Sequence, residues 1–291
     1  MAGNWVLITG ASTGIGRACA AYLARRNWRV IAAMRNVADG QALREEGVGS
    51  IELVHLDVTD AAGIAGMAGR VAEITGESGL RGLVNNAGIS VVGPVEFVPL
   101  EQWRRQFEVN FFGQIAVTQA MLPLMRKQIQ SGGFGSGRIV MMSSISGRVA
   151  APIMGPYAAS KFAMEAMSDA LRLEVMAQGI RVCLIEPGAI DTPIWKKGET
   201  EASSLFAADS PAIELYGKTL KAIEDGARKS AAGAIPADRV AEVVEKCLTR
   251  RRPRTRYLIG RDAKIGGFAK AVLPDRVLDY GMARAFGIPR R

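Results

Sequence analysis

Short, almost wholly apolar runs alternate along the chain with longer segments whose apolar positions recur three and four residues apart. The short runs are WVLIT (5–9), WRVIAAM (28–34), IELVHLDV (51–58), LRGLVNNA (80–87), GRIVMMSS (137–144) and IRVCLIEP (180–187). Their length and β-branched content mark them as strands, and YLIG (257–260) predicts a last one. Helical spacing runs from Ile15 to Arg26, Leu100 to Lys127, Tyr157 to Gln178 and Ala237 to Arg251. Strands that are apolar on both faces need cover on both faces. The pattern therefore predicts an α/β fold, a doubly wound parallel sheet with helices on either side, in one domain.

Two stretches break the rhythm. SGGFGSG (131–137) reads as a flexible loop too short to link domains. From Thr192 to about Gly233 the pattern is irregular, mixing Ile194, Trp195, Leu205 and Phe206 with Lys196, Lys197 and Glu199. It predicts an excursion from the sheet that serves as a substrate loop or lid.

Composition is that of an ordinary globular chain, with 48% hydrophobic and 22% charged residues. No apolar run reaches the roughly 18 residues of a membrane span, and the start MAGNWVLITG does not read as a secretory signal. Cys19, Cys183 and Cys247 are widely spaced and odd in number, which suits reduced core thiols and no metal site. A cytoplasmic location is the expectation that follows. Thirteen Lys and Arg from Lys246 onward face only Asp262, Asp275 and Asp279, a net of +10 against +9 for the whole chain. The basicity thus belongs to the tail, and nucleic-acid binding is not expected from it.

TGASTGIG (9–16) follows the first strand and opens a helix, the setting of a phosphate cradle. Gly10 would permit the tight turn, and Gly14 and Gly16 the close approach of a pyrophosphate; a plain strand-to-helix turn is the alternative. The same residues also fit the G-x-S-x-G elbow of a serine hydrolase. That reading needs a late histidine as base, and the only histidine is His55 on the third strand.

GPYAASK (155–161) sets Tyr157 and Lys161 one helical turn apart behind Pro156, which suits a first helical turn. An ammonium beside a phenol favours the phenolate, so the expectation is a tyrosine with a lowered pKa, fit for proton transfer at a carbonyl or alcohol oxygen. Ser144 stands at the end of the fifth strand, where a parallel sheet presents groups to ligands. Its neighbour Ser143 is the lesser candidate.

With TGASTGIG, LDVT (56–59), NNAG (85–88), Asn110 in VNFFG, Ser144 in SSISG, YAASK and PG (187–188) followed by Thr192, the chain resembles the short-chain dehydrogenase/reductase family. The resemblance implies a Rossmann-type fold and a nicotinamide dinucleotide. It implies Tyr157 as general acid/base, Lys161 as the residue that lowers its pKa and binds the nicotinamide ribose, and Ser144 as holder of the substrate oxygen. Asn110 would position a water between lysine and solvent. The dinucleotide would lie along Gly10, Ser12, Thr13, Gly14, Ile15 and Gly16 of the turn. Asp57 and Val58 would meet the adenine, and Asn85, Ala87 and Gly88 the adenosine ribose, with Asn86 bracing strands. Pro187, Gly188, Ile190 and Thr192 would border the nicotinamide, Thr192 at its carboxamide.

The second strand ends in Met34, Arg35, Asn36, with no carboxylate for a ribose 2′-hydroxyl. Arg35 offers a fork for a 2′-phosphate, so NADP(H) is expected, with NAD(H) as the alternative through Asp39. Arg17 is a second candidate for that phosphate. Apolar residues beyond the strand ends, Val91, Val92, Val149, Ile153, Met154, Ile194, Trp195 and Phe206, predict a lipophilic alcohol or ketone. The resemblance narrows to the hydroxysteroid and retinol dehydrogenase-like branch. Reduction of a 3-oxoacyl thioester is the rival within the enzymes; a nucleotide-binding regulatory module acting through its basic tail is the rival outside them. The family resemblance implies a homo-oligomer, dimer or tetramer, built partly on the Tyr157 helix.

Residues 1–260 form the predicted dinucleotide-binding domain and 261–291 a basic extension. In it Ile265, Phe268 and Val272, then Val277, Leu278, Met282 and Phe286, define two short amphipathic helices. They would either contact a membrane surface peripherally or pack over the cleft mouth or a subunit neighbour.

Overall fold

β1 (Trp5–Thr9) is buried along its whole length, which fixes it as a central strand with neighbours on both edges and layers on both faces. A computed structural model describes residues 3–45, 49–133, 135–194, 206, 210–286 and 288. β1 pairs in parallel with β2 (Arg29–Met34) on one side and β4 (Gly82–Asn85) on the other. With β3 (Ser50–His55), β5 (Gly137–Met142), β6 (Ile180–Pro187) and β7 (Arg256–Ile259), the order is β3-β2-β1-β4-β5-β6-β7, parallel throughout. The order reverses between β1 and β4. That switch point opens a crevice beyond the carboxyl ends of the strands, where open α/β sheets hold ligands.

Helices fill both faces. α1 (Gly14–Ala24) follows β1, and a short α2 (Gln41–Glu45) precedes β3. α3 (Ala61–Thr75), α4 (Leu100–Phe107), α5 (Gly113–Gly132) and α6 (Gly155–Glu174) follow in chain order. One core cluster joins Val6, Ile8 and Val140 to Cys19 and Leu23 of α1; its opposite joins Leu7, Ile139 and Leu184 to Met121 and Met125 of α5 and Met164 of α6. Burial of each such side chain contributes about 1.5–3 kcal/mol, so the alternation of strand residues between two faces stabilises both layers at once.

The expected strands are all present, but several end earlier than the apolar runs. Leu56 to Val58 and Asn86 to Ala87 leave the ladder and turn over the sheet edge. A second difference lies in the irregular stretch, where Pro211–Ala232 forms a 22-residue helix, α7. Thr192 to Ile194 at the start of the expected substrate loop are described, and residues 195–205 and 207–209, Trp195 among them, lie outside the described residues. α8 (Ala237–Thr249) packs against α1 in the first core cluster. The tail forms two helices as expected, α9 (Arg261–Val272) and α10 (Asp275–Ala285).

Candidate active site

Seven segments meet at the carboxyl edge of the sheet. The cleft there is lined by Gly10, Ser12, Thr13, Gly14 and Ile15 after β1, Arg35 after β2, Asp57 and Val58 after β3, and Ala87 and Gly88 after β4. Ser144 after β5, Tyr157 and Lys161 on α6, and Pro187, Gly188, Ile190 and Thr192 after β6 close it, with Asn110 on the remaining wall. Two expected members do not face it. A Cβ on Gly16 would lie 2.2 Å from the Gly10 carbonyl oxygen and 2.5 Å from Asn86 Nδ2, so Gly16 lets α1 press onto the turn and does not border the cleft. Asn85 is wholly buried and donates to Thr118 Oγ1 at 2.7 Å and Met141 Sδ at 3.1 Å, bracing β4 against α5 and β5. Its neighbour Asn86 does line the cleft, and its Nδ2 also donates to the main-chain oxygens of Thr9 at 2.9 Å and Gly10 at 3.2 Å. That makes it the strand brace expected of it.

The turn after β1 fits a pyrophosphate. Gly10 holds φ of 65°, and a Cβ there would lie 2.8 Å from Ala87 Cα, so the chain must be bare at this point. α1 starts with Thr13 extended at its N-cap, with no side-chain cap bond and no acid in its first turn. Its leading N–H groups and the positive end of its dipole are thereby directed to an anion in the cleft. Thr192 sits over the turn, its Cβ 3.2 Å from where a Cβ on Gly14 would be.

Ser144 caps a short 3₁₀ turn, Ile145–Gly147, by accepting from the Ser146 N–H at 3.1 Å. Its Oγ donates toward the Pro187 oxygen at 3.5 Å, and it shares a side-chain hydrogen bond with Tyr157. Pro156 lies in the first turn of α6, and the face carrying Tyr157 and Lys161 is turned inward. Lys161 Nζ donates to the main-chain oxygen of Met142 at 2.7 Å and lies 5.7 Å from the centroid of the Tyr157 ring. Burial pushes the phenol up to about 12, with the Ser144 hydrogen bond acting against it, and burial pushes the Lys161 ammonium down to about 8. The expected lowering of the phenol by the ammonium is therefore reversed. Both groups lose water, and the lysine is drawn to a carbonyl of β5.

Asn110 lies in a single π turn, Glu108–Phe112, that joins α4 to α5. Its side chain is held chiefly by Ile89, with Oδ1 accepting from the Ile89 N–H at 2.8 Å and Nδ2 donating to the Ile89 oxygen at 3.0 Å, and Nδ2 also reaches Ser160 Oγ on α6 at 3.4 Å. Asp57 accepts from the Thr59 N–H at 2.9 Å and Oγ1 at 2.8 Å, and these bonds, the backbone one foremost, hold its carboxyl below the usual range with help from nearby Arg35. Arg35 is exposed at the lip of the cleft. Asp39 is turned to Asn36, whose Nδ2 donates to it at 3.0 Å, and neither it nor Arg17 lines the cleft.

Of the apolar residues expected to line a substrate site, Ile194 does so, while Val91, Ile153 and Met154 are buried and do not line the cleft. Two contributors escaped the sequence reading. Arg105 of α4 lines the cleft one turn before Val109, a helical spacing from Asn110's neighbour that would have pointed to it. Asp262 of α9 accepts from the Ala189 N–H at 2.7 Å and lies hard against Gly188, fixing the wall after β6. No local signal marks a partner so distant in the chain.

Residues 4–203 match the family pattern described as short chain dehydrogenase. The chain is 32% identical over 277 residues to an NADPH-dependent 3-dehydrocapnine reductase of Ornithobacterium rhinotracheale, covering 95% of each chain. It is 36% identical over 294 residues to 17-beta-hydroxysteroid dehydrogenase type 6 of Bos taurus, covering 98% of this chain and 90% of that one. A short-chain dehydrogenase from Streptomyces avermitilis has a similar structure, with a TM-score of 0.78, 30% identity and full coverage of both chains. Ordered motifs, sheet order and full-length relatives agree: this is an NAD(P)H-dependent oxidoreductase of a carbonyl/alcohol pair, and the chain belongs to the short-chain dehydrogenase/reductase family.

Proposed function

We propose that the chain uses NADPH to reduce a lipophilic ketone to a secondary alcohol, with NADH as the weaker donor. The observation that carries this reading is the Ser144–Tyr157 hydrogen bond at the cleft, with a buried lysine one turn along the same helix. When bound, the dinucleotide supplies the hydride. Tyr157 gives its proton to the substrate oxygen as charge grows there, and Ser144 donates a hydrogen bond to the same atom. A phenol pushed up by burial stays protonated through neutral pH, the form that donates in the reductive direction. Lys161, drawn down to about 8, returns a proton to Tyr157 after each turnover. With the Asn110 side chain engaged by Ile89 and Ser160, any water it positions is held by its main chain at the π turn.

Arg35 at the lip, with Asp39 engaged elsewhere, supports recognition of a 2′-phosphate. Asp57 and Val58 are assigned to the adenine end, and Thr192 to the carboxamide. Ile89, Met142 and Ile194 give the cleft apolar wall, which supports a lipophilic substrate. The names of the similar reductase and hydroxysteroid dehydrogenase point the same way.

Two surface features extend the reading. Ile265, Phe268 and Val272 of α9 are 59%, 69% and 55% exposed and are not among the residues lining the cleft. With Lys264 and Lys270 on the same helix and a tail of high positive charge, they support peripheral contact with an anionic lipid surface. Among the described residues no helix is long and apolar enough to cross a membrane. Phe162 and Leu173 stand exposed on the outer side of α6, which supports a homo-oligomer assembled through that helix.

The test is a panel of steroid, retinoid and aromatic ketones with NADPH and NADH, following dinucleotide absorbance. Ketone-dependent oxidation of NADPH is the expected result. Absence of turnover with every ketone, together with salt-dependent retention on DNA or anionic vesicles, would instead favour a regulatory binding module.

A further inference from the structure

Behind Ser144, Tyr157 and Lys161 lies a layer of paired charges that takes no direct part in the proposed reaction. Glu186, next to last in β6, is wholly buried, and its Oε1 accepts from Arg148 Nε at 2.9 Å and Nη2 at 2.8 Å. The same oxygen lies 3.3 Å from Arg256 Nε. Arg256, which opens β7, reaches on to α6: Nε donates to Glu165 Oε2 at 2.9 Å and Nη2 to Asp169 Oδ2 at 2.7 Å. Glu165 and Asp169 stand one and two turns beyond Lys161.

Each end of this network holds a segment that carries a reacting group. Arg148 directly follows the 3₁₀ turn opened by Ser144, and Glu186 directly precedes Pro187, whose oxygen faces Ser144 Oγ. Gly147 in that turn has no room for a side chain: a Cβ would lie 2.9 Å from Ser143 Oγ, 3.1 Å from Glu165 Cγ and 3.2 Å from the Lys161 oxygen. The turn therefore rests on α6 at the level of Lys161. Burying ionised groups is costly, and an apolar layer would pack this region at least as well. What the ion pairs add is direction, since a guanidinium fork fixes both distance and angle to a carboxylate.

We propose that Arg148 and Glu186, extended through Arg256 to Glu165 and Asp169, are positioning residues that hold the Ser144 turn against β6 and α6 and so set the Ser144–Tyr157 hydrogen bond. The inference rests on the reading of Ser144 and Tyr157 as the groups that handle the substrate oxygen. It does not depend on which ketone is reduced.

The test uses the full chain with NADPH and the best ketone of the panel, comparing wild type, Arg148→Met, Arg148→Lys, Glu186→Gln and the double variant Arg148→Met/Glu186→Gln. Arg148→Met should lower kcat about tenfold, the scale of a small misplacement of a catalytic group. Its Kd for NADPH should stay within about twofold, because the dinucleotide cradle is untouched. Arg148→Lys should recover about threefold of the loss, and the double variant should be no worse than the single ones, as expected of two members of one unit. Hydrogen exchange over residues 144–150 should quicken in Arg148→Met and return toward wild type in Arg148→Lys. Wild-type kcat in Arg148→Met, equal losses in kcat and NADPH affinity without rescue by lysine, or unchanged exchange would each overturn the proposal. Where Glu186→Gln does not fold, the Arg148 variants decide, since that side chain is partly exposed. A wild type that reduces no ketone would refute the proposed function, and the exchange comparison would still judge the positioning claim.

Discussion

The Lys161 ammonium lies 5.7 Å from the centroid of the Tyr157 ring and is bonded to the Met142 carbonyl at 2.7 Å. Burial moves the lysine from 10.5 to about 8. Between those values the unfolded chain binds more protons at this site than the folded one, so this group makes stability rise with pH across about 8 to 10.5. Denaturant unfolding of wild type and Lys161→Met at about pH 7.5 and pH 10 isolates the effect. The wild type should gain on the variant by on the order of 2 kcal/mol between the two conditions. An equal difference at both would contradict the buried, displaced lysine.

Arg35 at the cleft lip is the one basic residue at the end of β2, and Asp39 is held by Asn36. Arg35→Ala should weaken NADPH by about ten- to a hundredfold, the worth of a charge-assisted hydrogen bond, and change NADH by less than about twofold. Titration of both dinucleotides into both proteins measures this directly. Parallel losses for the two would assign Arg35 to the shared part of the ligand instead.

Gly16 tests the turn without touching the cleft. A methyl group there meets the Gly10 oxygen at 2.2 Å, a backbone atom that cannot rotate away. Gly16→Ala should lower stability by about 1–3 kcal/mol and weaken both dinucleotides together. A variant with wild-type melting temperature and affinity would show that α1 does not press on the turn as described.

Much of this site was legible because its residues lie where strands end, and strand ends follow from apolar runs. The 22-residue α7 is not set apart in the sequence, because the irregular residues just upstream of Pro211 read with it as a single excursion from Thr192 to about Gly233. NNAG offered two adjacent asparagines, and only the pleat decides that Asn85 turns into the core while Asn86 faces the cleft. Charge proximity along a helix is visible in YAASK; the desolvation that outweighs it depends on packing from β5 and β6. Asp262 reaches Ala189 across 73 positions, a contact that no local pattern encodes.

The exposed α9 face makes a further claim open to measurement. Wild type should cosediment with phosphatidylserine vesicles and not with phosphatidylcholine ones, and Phe268→Ser/Val272→Ser should reduce the bound fraction about tenfold, in line with two lost apolar anchors. Equal binding by the variant, or none by wild type, would leave α9 without a lipid partner.

The most direct test of the account replaces the Tyr157 hydroxyl alone. In Tyr157→Phe, ketone reduction with NADPH should fall by about 10²–10⁴-fold while the Kd for NADPH stays within about twofold of wild type. A variant that keeps most of its turnover would contradict proton donation by Tyr157.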